Sequence, residues 1–294
     1  MSYSFDNGNE LLEICAKESL SIAEVMIRRE MEKSERDREE IINEMFENLM
    51  VMQQSIKLGL EEEQQTMTGL AGGNAEKLYA FAQKANMGED MAKICAAAMA
   101  VTEVNASMGR IVATPTAGAS GVLPAVLVMC SEKQSFTDRD LVNGLFTAGA
   151  VGIIIAKNAS ISGAAGGCQA EIGSGSAMAA AALAELCGAE PSAALDAAAI
   201  ALKNIMGLVC DPVAGLVECP CIKRNAMGAA NAVLAADMVL AGISSIIPFD
   251  EVVSAMRSVG RMMNSDLRET SRGGLAATAT ARGIADRIGR RDDI

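Results

Sequence analysis

Histidine is absent from all 294 residues of this chain. Ser-His-Asp and Cys-His catalysis, and every histidine-dependent metal site, are therefore excluded as chemistry the chain could perform alone. Tryptophan is absent too, and tyrosine occurs only at Tyr3 and Tyr79. Alanine, glycine and methionine are plentiful instead, a mix suited to close-packed helices rather than to sheets rich in aromatic and β-branched residues. Positive charge is in deficit: the formal net charge is −12, and Lys and Arg are scattered or paired with acids. Phosphate backbones require clustered bases, so no nucleic-acid partner is expected. The N-terminus, Met-Ser-Tyr-Ser-Phe-Asp-Asn, lacks the basic and apolar regions of a signal peptide. A cytoplasmic protein is expected, whose eight cysteines are free thiols or metal ligands.

Half of the residues are apolar, enough to bury a sizeable core. Apolar residues recur at helical spacing from about Asn9 to Arg29. A second helix is expected after Ser34, whose spacing to Asp37 resembles a capping box, with Ile41, Ile42, Met45, Phe46, Leu49 and Met52 on one stripe. The charged residues of both helices read as solvated faces. Gly69 to Gly73 is a flexible loop, and helices are expected near 75–85 and 89–108. Thr137 and Asp140 start another helix, running to about Asn158, and further helices are expected over 222–242 and from Asp250. The segment ending at Asn158, the Ala-rich stretch 176–187 and the run 226–247 are apolar enough to raise a membrane reading. Their many Gly and Ala, Asp237 inside the longest, and the shortness of the first argue instead for central helices of an all-α domain. No fixed-period repeat and no Pro/Ser-rich linker divides the chain. A single domain over 1–294 is expected, with a helical part to about 65, the candidate site within about 66–285, and a charged, frayed tail from Arg290 to Ile294.

Two stretches carry candidate chemistry. Val112-Ala-Thr-Pro-Thr-Ala-Gly-Ala-Ser-Gly-Val-Leu-Pro124 cannot be continuous helix. A loop of small residues and hydroxyls feeding a helix N-terminus presents free backbone N–H groups to a carboxylate or phosphate. Thr114, Thr116, Gly118, Ser120 and Gly121 are the candidate contacts, against the plain alternative of an ordinary helix connection. The second stretch holds Gly-Gly-Cys168, Cys210-Asp-Pro and Cys219-Pro-Cys221, all where regular helix is interrupted. Ligands on turns can converge on one point, and thiolates are the usual ligands of iron-sulfur clusters. Three thiolates leave one iron of a [4Fe–4S] cube open, and an open iron is a Lewis acid. The spacings match none of the ferredoxin runs, so zinc or plain burial stays open, although Cys219 and Cys221 are poorly spaced to share a zinc. Cys15, Cys95, Cys130 and Cys187 sit in apolar helical patterns and read as buried thiols.

At these positions the chain resembles the α chain, or α domain, of the iron-sulfur-dependent L-serine dehydratases. The matching stretches are Glu103-Val-Asn-Ala-Ser-Met-Gly-Arg110, Pro115-Thr-Ala-Gly-Ala-Ser-Gly121, Gly166-Gly-Cys-Gln-Ala-Glu171, Cys210 through Asn225, and Leu267-Arg-Glu-Thr270. The resemblance implies a largely helical domain with Gly-rich interhelical loops enclosing a [4Fe–4S] cluster on Cys168, Cys210 and Cys221. It implies conversion of L-serine to pyruvate and ammonia: the hydroxyl on the open iron, the Cα proton taken by a base, water lost to give aminoacrylate, and the imine tautomer hydrolysed. The substrate carboxylate would sit in the Thr116 to Gly121 loop.

Two departures follow. Single-chain members carry an additional β domain with a Ser-His-Thr motif, and this chain has no histidine to match it. A separate β chain is implied, without which no activity is expected. Some members end in a cysteine that plugs the open iron, whereas this sequence ends Asp-Asp-Ile, so that self-inhibition is not expected. Cys219 reads as a bystander, and the general base stays open among Lys223, Arg224 and the β chain's histidine. The rivals are the same elimination on L-cysteine or L-threonine, a non-catalytic iron-sulfur protein, and a pyridoxal-phosphate dehydratase using Gly173 to Ser176 for phosphate, the last lacking a recognisable Schiff-base lysine.

Overall fold

The computed structural model describes residues 2–289. They form an all-α fold, with no strand among the described residues. The helices in chain order are α1 (Gly8–Glu18), α2 (Ile22–Ser34), α3 (Arg38–Glu61), α4 (Asn74–Phe81), α5 (Glu89–Ala106), α6 (Val122–Gln134), α7 (Asp138–Asn158), the single turn α8 (Gly163–Gly166), α9 (Ser174–Leu186), α10 (Pro191–Ile205), α11 (Cys221–Leu240), α12 (Phe249–Met262) and α13 (Ala279–Gly289).

At the centre is α9, packed against α6, α7, α10 and α11. Its run Ala177 to Ala184 is buried on every side. A helix apolar all round must be enclosed by others, and methyl side chains let those neighbours come close. Beside it α5 packs on α3, α4, α6 and α11 in the same manner. A Cβ placed at Gly59 of α3 would lie 2.5 Å from the carbonyl oxygen of Ala100, so this crossing requires glycine. By length and composition α7 could cross a bilayer, yet most of it is buried against its neighbours, chiefly α9 and α2. Its start is a capping box of Thr137 and Asp140, as the sequence predicts.

The structure corrects two expectations near the N-terminus. The periodic stretch from Asn9 to Arg29 is two helices, because Ser19 turns left-handed at φ 55° and Ser21 caps a new start by accepting from the Glu24 amide. The helix after Ser34 is capped by Asp37 itself, which accepts from the Glu40 amide, while the Ser34 hydroxyl bonds back to Glu30 in the preceding helix. The expectation of a frayed tail at 290–294 lies outside the described residues.

Candidate functional site

The site forms where four chain interruptions meet: the turn before α9, the connection from α10 to α11, the loop before α6, and the segment after α12. After α7 the chain makes the short α8 and reverses at Gly167, where φ is 78° and a Cβ would lie 2.6 Å from the Met263 sulfur. Cys168 follows, buried, and leads into a π-helical turn over Gln169–Gly173 that runs directly into α9. Wide turns of this kind cost hydrogen-bond geometry and concentrate at functional sites. Here the turn is clamped by the buried Gln169 amide. Its nitrogen donates to the carbonyls of Gly166 (2.9 Å) and Met256 (3.1 Å), and its oxygen accepts from the Gly207 amide at 2.8 Å.

Cys210 is held by backbone on both sides. Its N–H donates to the Leu267 carbonyl at 2.8 Å, and its own carbonyl accepts from the Glu269 amide at 2.7 Å. The Leu267 to Thr270 stretch thus has a structural role: it fixes the Cys210 backbone. The next residue, Asp211, is 3% exposed and accepts from Arg224 Nη2 at 2.8 Å and from the Leu275 amide at 2.7 Å. Arg224 also donates to the Val209 carbonyl at 2.8 Å. Cys221 opens α11, and one turn later the buried Asn225 joins it to the loop before α6. The Asn225 amide nitrogen donates to the carbonyls of Cys221 (2.9 Å) and Gly118 (2.7 Å), while its oxygen accepts from the Gly121 amide at 3.0 Å.

Cys168, Cys210 and Cys221 share one neighbourhood, as their acidities record. Burial pushes the Cys168 thiol up to about 11, against the pull of the Arg224 guanidinium. Burial, then Cys168 and Glu171, push Cys221 up to about 12. Burial lifts Cys210 as well, with Glu171, Cys168, Glu269 and Cys221 all adding to it. Three buried thiols, of which Cys168 and Cys221 oppose the ionisation of a neighbour, need positive charge before all can be thiolates. Among the described residues no three His, Cys, Asp or Glu side chains close to the spacing of a single metal ion. A cube of irons and sulfides holds its thiolates farther apart than one ion does, so a wider spacing is compatible with a cluster. The Arg268 Nε–H, beside Cys210 on the bridging segment, is buried with no partner, and such donors are what cluster sulfurs accept. The residues present therefore fit a cluster. Cys219 is half-buried two residues from Cys221, and Cys15, Cys95, Cys130 and Cys187 lie in or at the ends of helices.

The loop before α6 adopts a short 3₁₀ turn over Ala117–Ala119, and Pro124 falls in the first turn of the helix. Thr114 and Ser120 are buried, with hydroxyls donating to the loop's own carbonyls, Ser120 and Ala117 respectively. The Gly121 amide is taken by Asn225. Thr116, Ala117 and Gly118 form the accessible side of the loop. Facing them is Glu171, whose Oε1 accepts from the Thr116 hydroxyl at 2.9 Å and whose Oε2 takes a long 3.8 Å contact from the Cys210 thiol. Burial raises the Glu171 pKa, opposed by Thr116. Sequence reasoning gave no role to Glu171, Gln169, Asp211 or Asn225. The available signal was polarity: Gln169 and Glu171 interrupt a run of small and apolar residues, whereas Asn225 follows Lys223-Arg224 and carried no such signal. Of the bases left open, Lys223 is exposed. Burial works against the Arg224 charge, but Cys168 and Asp211 outweigh it and hold the guanidinium protonated.

Two cavities, of about 730 and 710 Å³, lie elsewhere, one lined by Cys15 and Glu185 and the other by Cys130 and Asp237. Converging thiols and carboxylates, not volume, mark the site.

Comparison with known proteins falls on the same region. The family model for the serine dehydratase alpha chain matches residues 17–276. A Bacillus subtilis protein named as a probable L-serine dehydratase alpha chain is 52% identical over 97% of this chain and 95% of its own length. The L-serine dehydratase alpha chain of Peptoniphilus asaccharolyticus is 44% identical over 95% of this chain and 96% of its own. A longer L-serine dehydratase from Streptomyces coelicolor is 41% identical over 94% of this chain, which spans 61% of it.

Proposed function

The chain belongs to the serine dehydratase alpha-chain family, and from that premise we propose that it is the cluster-bearing subunit of an enzyme that converts L-serine to pyruvate and ammonia. The observation that carries the reading is the convergence of Cys168, Cys210 and Cys221, in which Cys168 opposes the ionisation of both others and Cys221 that of Cys210, with no fourth protein ligand assigned. These three would hold a [4Fe–4S] cluster, and when bound it would supply Lewis-acid chemistry that makes the substrate hydroxyl a better leaving group.

The chain's own residues do the rest of the work assigned to this subunit. Arg224, fixed by Asp211 and the Val209 carbonyl, keeps a positive charge beside the thiolates. Thr116 and Gly118 present the contacts for the substrate carboxylate, while Thr114, Ser120 and Gly121 hold the loop in shape. The base that removes the Cα proton is assigned to a separate β chain, because neither Lys223 nor Arg224 is a free base facing the thiols and this chain has no histidine. The names of the Bacillus and Peptoniphilus relatives, as alpha chains, support a second chain, and the greater length of the Streptomyces relative fits the same division. Eight free cysteines support a reducing, cytoplasmic setting.

The test is iron and acid-labile sulfide per chain after anaerobic purification, for the protein and for Cys168→Ala, Cys210→Ala and Cys221→Ala. About four of each, lost in all three variants, is expected, with pyruvate formed from L-serine only when the β chain is added. Folded protein that takes up zinc or no metal would end the proposal.

A further inference from the structure

We propose that Glu171 is the residue that receives the α-ammonium group of the substrate, and so selects an amino acid over a hydroxy or plain acid; this rests on the dehydratase reading above. Glu171 stands between the three thiols and the accessible side of the Thr116 loop. The backbone makes room for it at two glycines. A Cβ at Gly118 would lie 3.2 Å from Oε1, and one at Gly163 would lie 2.7 Å from Oε2. Its carboxyl group accepts from the Thr116 hydroxyl at Oε1, which has a second lone pair free, while Oε2 faces the Cys210 sulfur at 3.8 Å. Among the described residues no Lys or Arg nitrogen pairs with it. Arg224, the cation acting on Cys168, is already committed to Asp211.

A half-buried carboxylate with no cation paired to it is costly unless something positive arrives. L-Serine brings one positive group, and its carboxylate and ammonium share one carbon. A carboxylate lodged against Thr116 and Gly118 would put the ammonium within reach of the neighbouring Glu171, and the hydroxyl would be left for the thiol side. One glutamate beside the loop thus accounts for the orientation of all three substituents.

Competition by L-alanine and by propionate tests this, since the two differ only in the ammonium group and neither has a hydroxyl to lose. Inhibition constants against L-serine would be measured on the cluster-loaded enzyme with its β chain, alongside iron content, KM and kcat. Wild type should prefer alanine. In Glu171→Gln the alanine constant and the serine KM should both rise about tenfold or more, with propionate unchanged or tighter and iron retained. Equal weakening of both inhibitors, or a fall in kcat with KM and the alanine preference intact, would overturn the assignment. If Glu171→Gln loses iron, Glu171→Asp decides: charge kept at shorter reach should preserve the alanine preference, and its loss in iron-replete protein rejects the idea. Wild-type enzyme that forms no pyruvate would end the dehydratase reading separately, and calorimetric titration with alanine and propionate would still test Glu171.

Discussion

Arg224 carries the largest single consequence at the scale of one residue. Its guanidinium is bonded to Asp211 at 2.8 Å, with side chains 14% and 3% exposed, so neither charge has water to fall back on. Truncating one member of such a pair leaves the other buried and uncompensated, at a cost of about 3–5 kcal/mol. Arg224→Gln should therefore lower the denaturation midpoint sharply and release iron. Arg224→Lys, which keeps the charge but not the fork, should recover only part of both. Full iron content and wild-type stability in Arg224→Gln would show that the pair is ornamental. The core thiols make a different prediction. Burial pushes Cys95 up to about 11, so above the unfolded-chain value, about 8.5, the unfolded state has lost a proton that the folded state keeps. Stability then falls as pH rises, by about 1.4 kcal/mol per pH unit, until pH passes the folded value; below the unfolded value the thiol contributes no slope. Denaturation curves from about pH 8 to 10.5 should be shallower for Cys95→Ala than for wild type above the unfolded value, and parallel below it. Parallel curves throughout would show that Cys95 ionises freely in the folded protein.

Helices and loops were legible in the sequence to different degrees, and glycine explains much of the difference. At Gly121 a Cβ would lie 2.0 Å from the Ala98 carbonyl oxygen, so the loop before α6 rests directly on the backbone of α5. Gly121→Ala must push that loop away or bend the helix, breaking the Asn225 tie to Cys221. It should raise the serine KM strongly and cost about 1–3 kcal/mol of stability; an unchanged KM would detach the loop from substrate binding. The proline and glycine pattern exposed this loop from sequence, and the Thr137 box exposed the start of α7. The break between α1 and α2 was hidden, because Ser19-Leu-Ser21 keeps the apolar period across a turn. The π turn at Gln169–Gly173 was hidden more deeply. Nothing local demands it; the Gln169 clamp to Gly166, Gly207 and Met256 does, and two of those partners lie far along the chain. That Cys168, Cys210 and Cys221 would come close together could be expected from the turn residues that flank them, whereas Glu171 and Asn225 make contacts that only folding creates.

Over the whole molecule, carboxylates from distant elements anchor helix starts and a loop, which gives part of the acidic surplus a structural use. Asp250 in α12 accepts from the amides of Gly8 and Asn9 at 2.7 and 3.0 Å. Glu185 at the end of α9 accepts from Ile22 and Ala23 at the start of α2. Glu103 in α5 accepts from Asn74 and Ala75 at the start of α4, and Glu218 holds Thr68. Each supplies charge where a helix presents unpaired N–H groups, or polar contact where a loop must be fixed. Asp250 and Glu185 thereby tie helix starts in the part up to residue 65 to elements of the part bearing the site. Losing a cap costs about 0.5–2 kcal/mol, so Asp250→Ala should speed amide exchange over α1 while leaving iron content unchanged. Removing residues 1–65 should do far more, since α2 and α3 cover α5 and α7. If the chain is one domain, the remainder cannot bury the apolar faces left behind and should be recovered only as aggregate. A soluble 66–294 fragment that binds iron and sulfide would show instead that the site region folds alone, and that the first three helices are an addition to it.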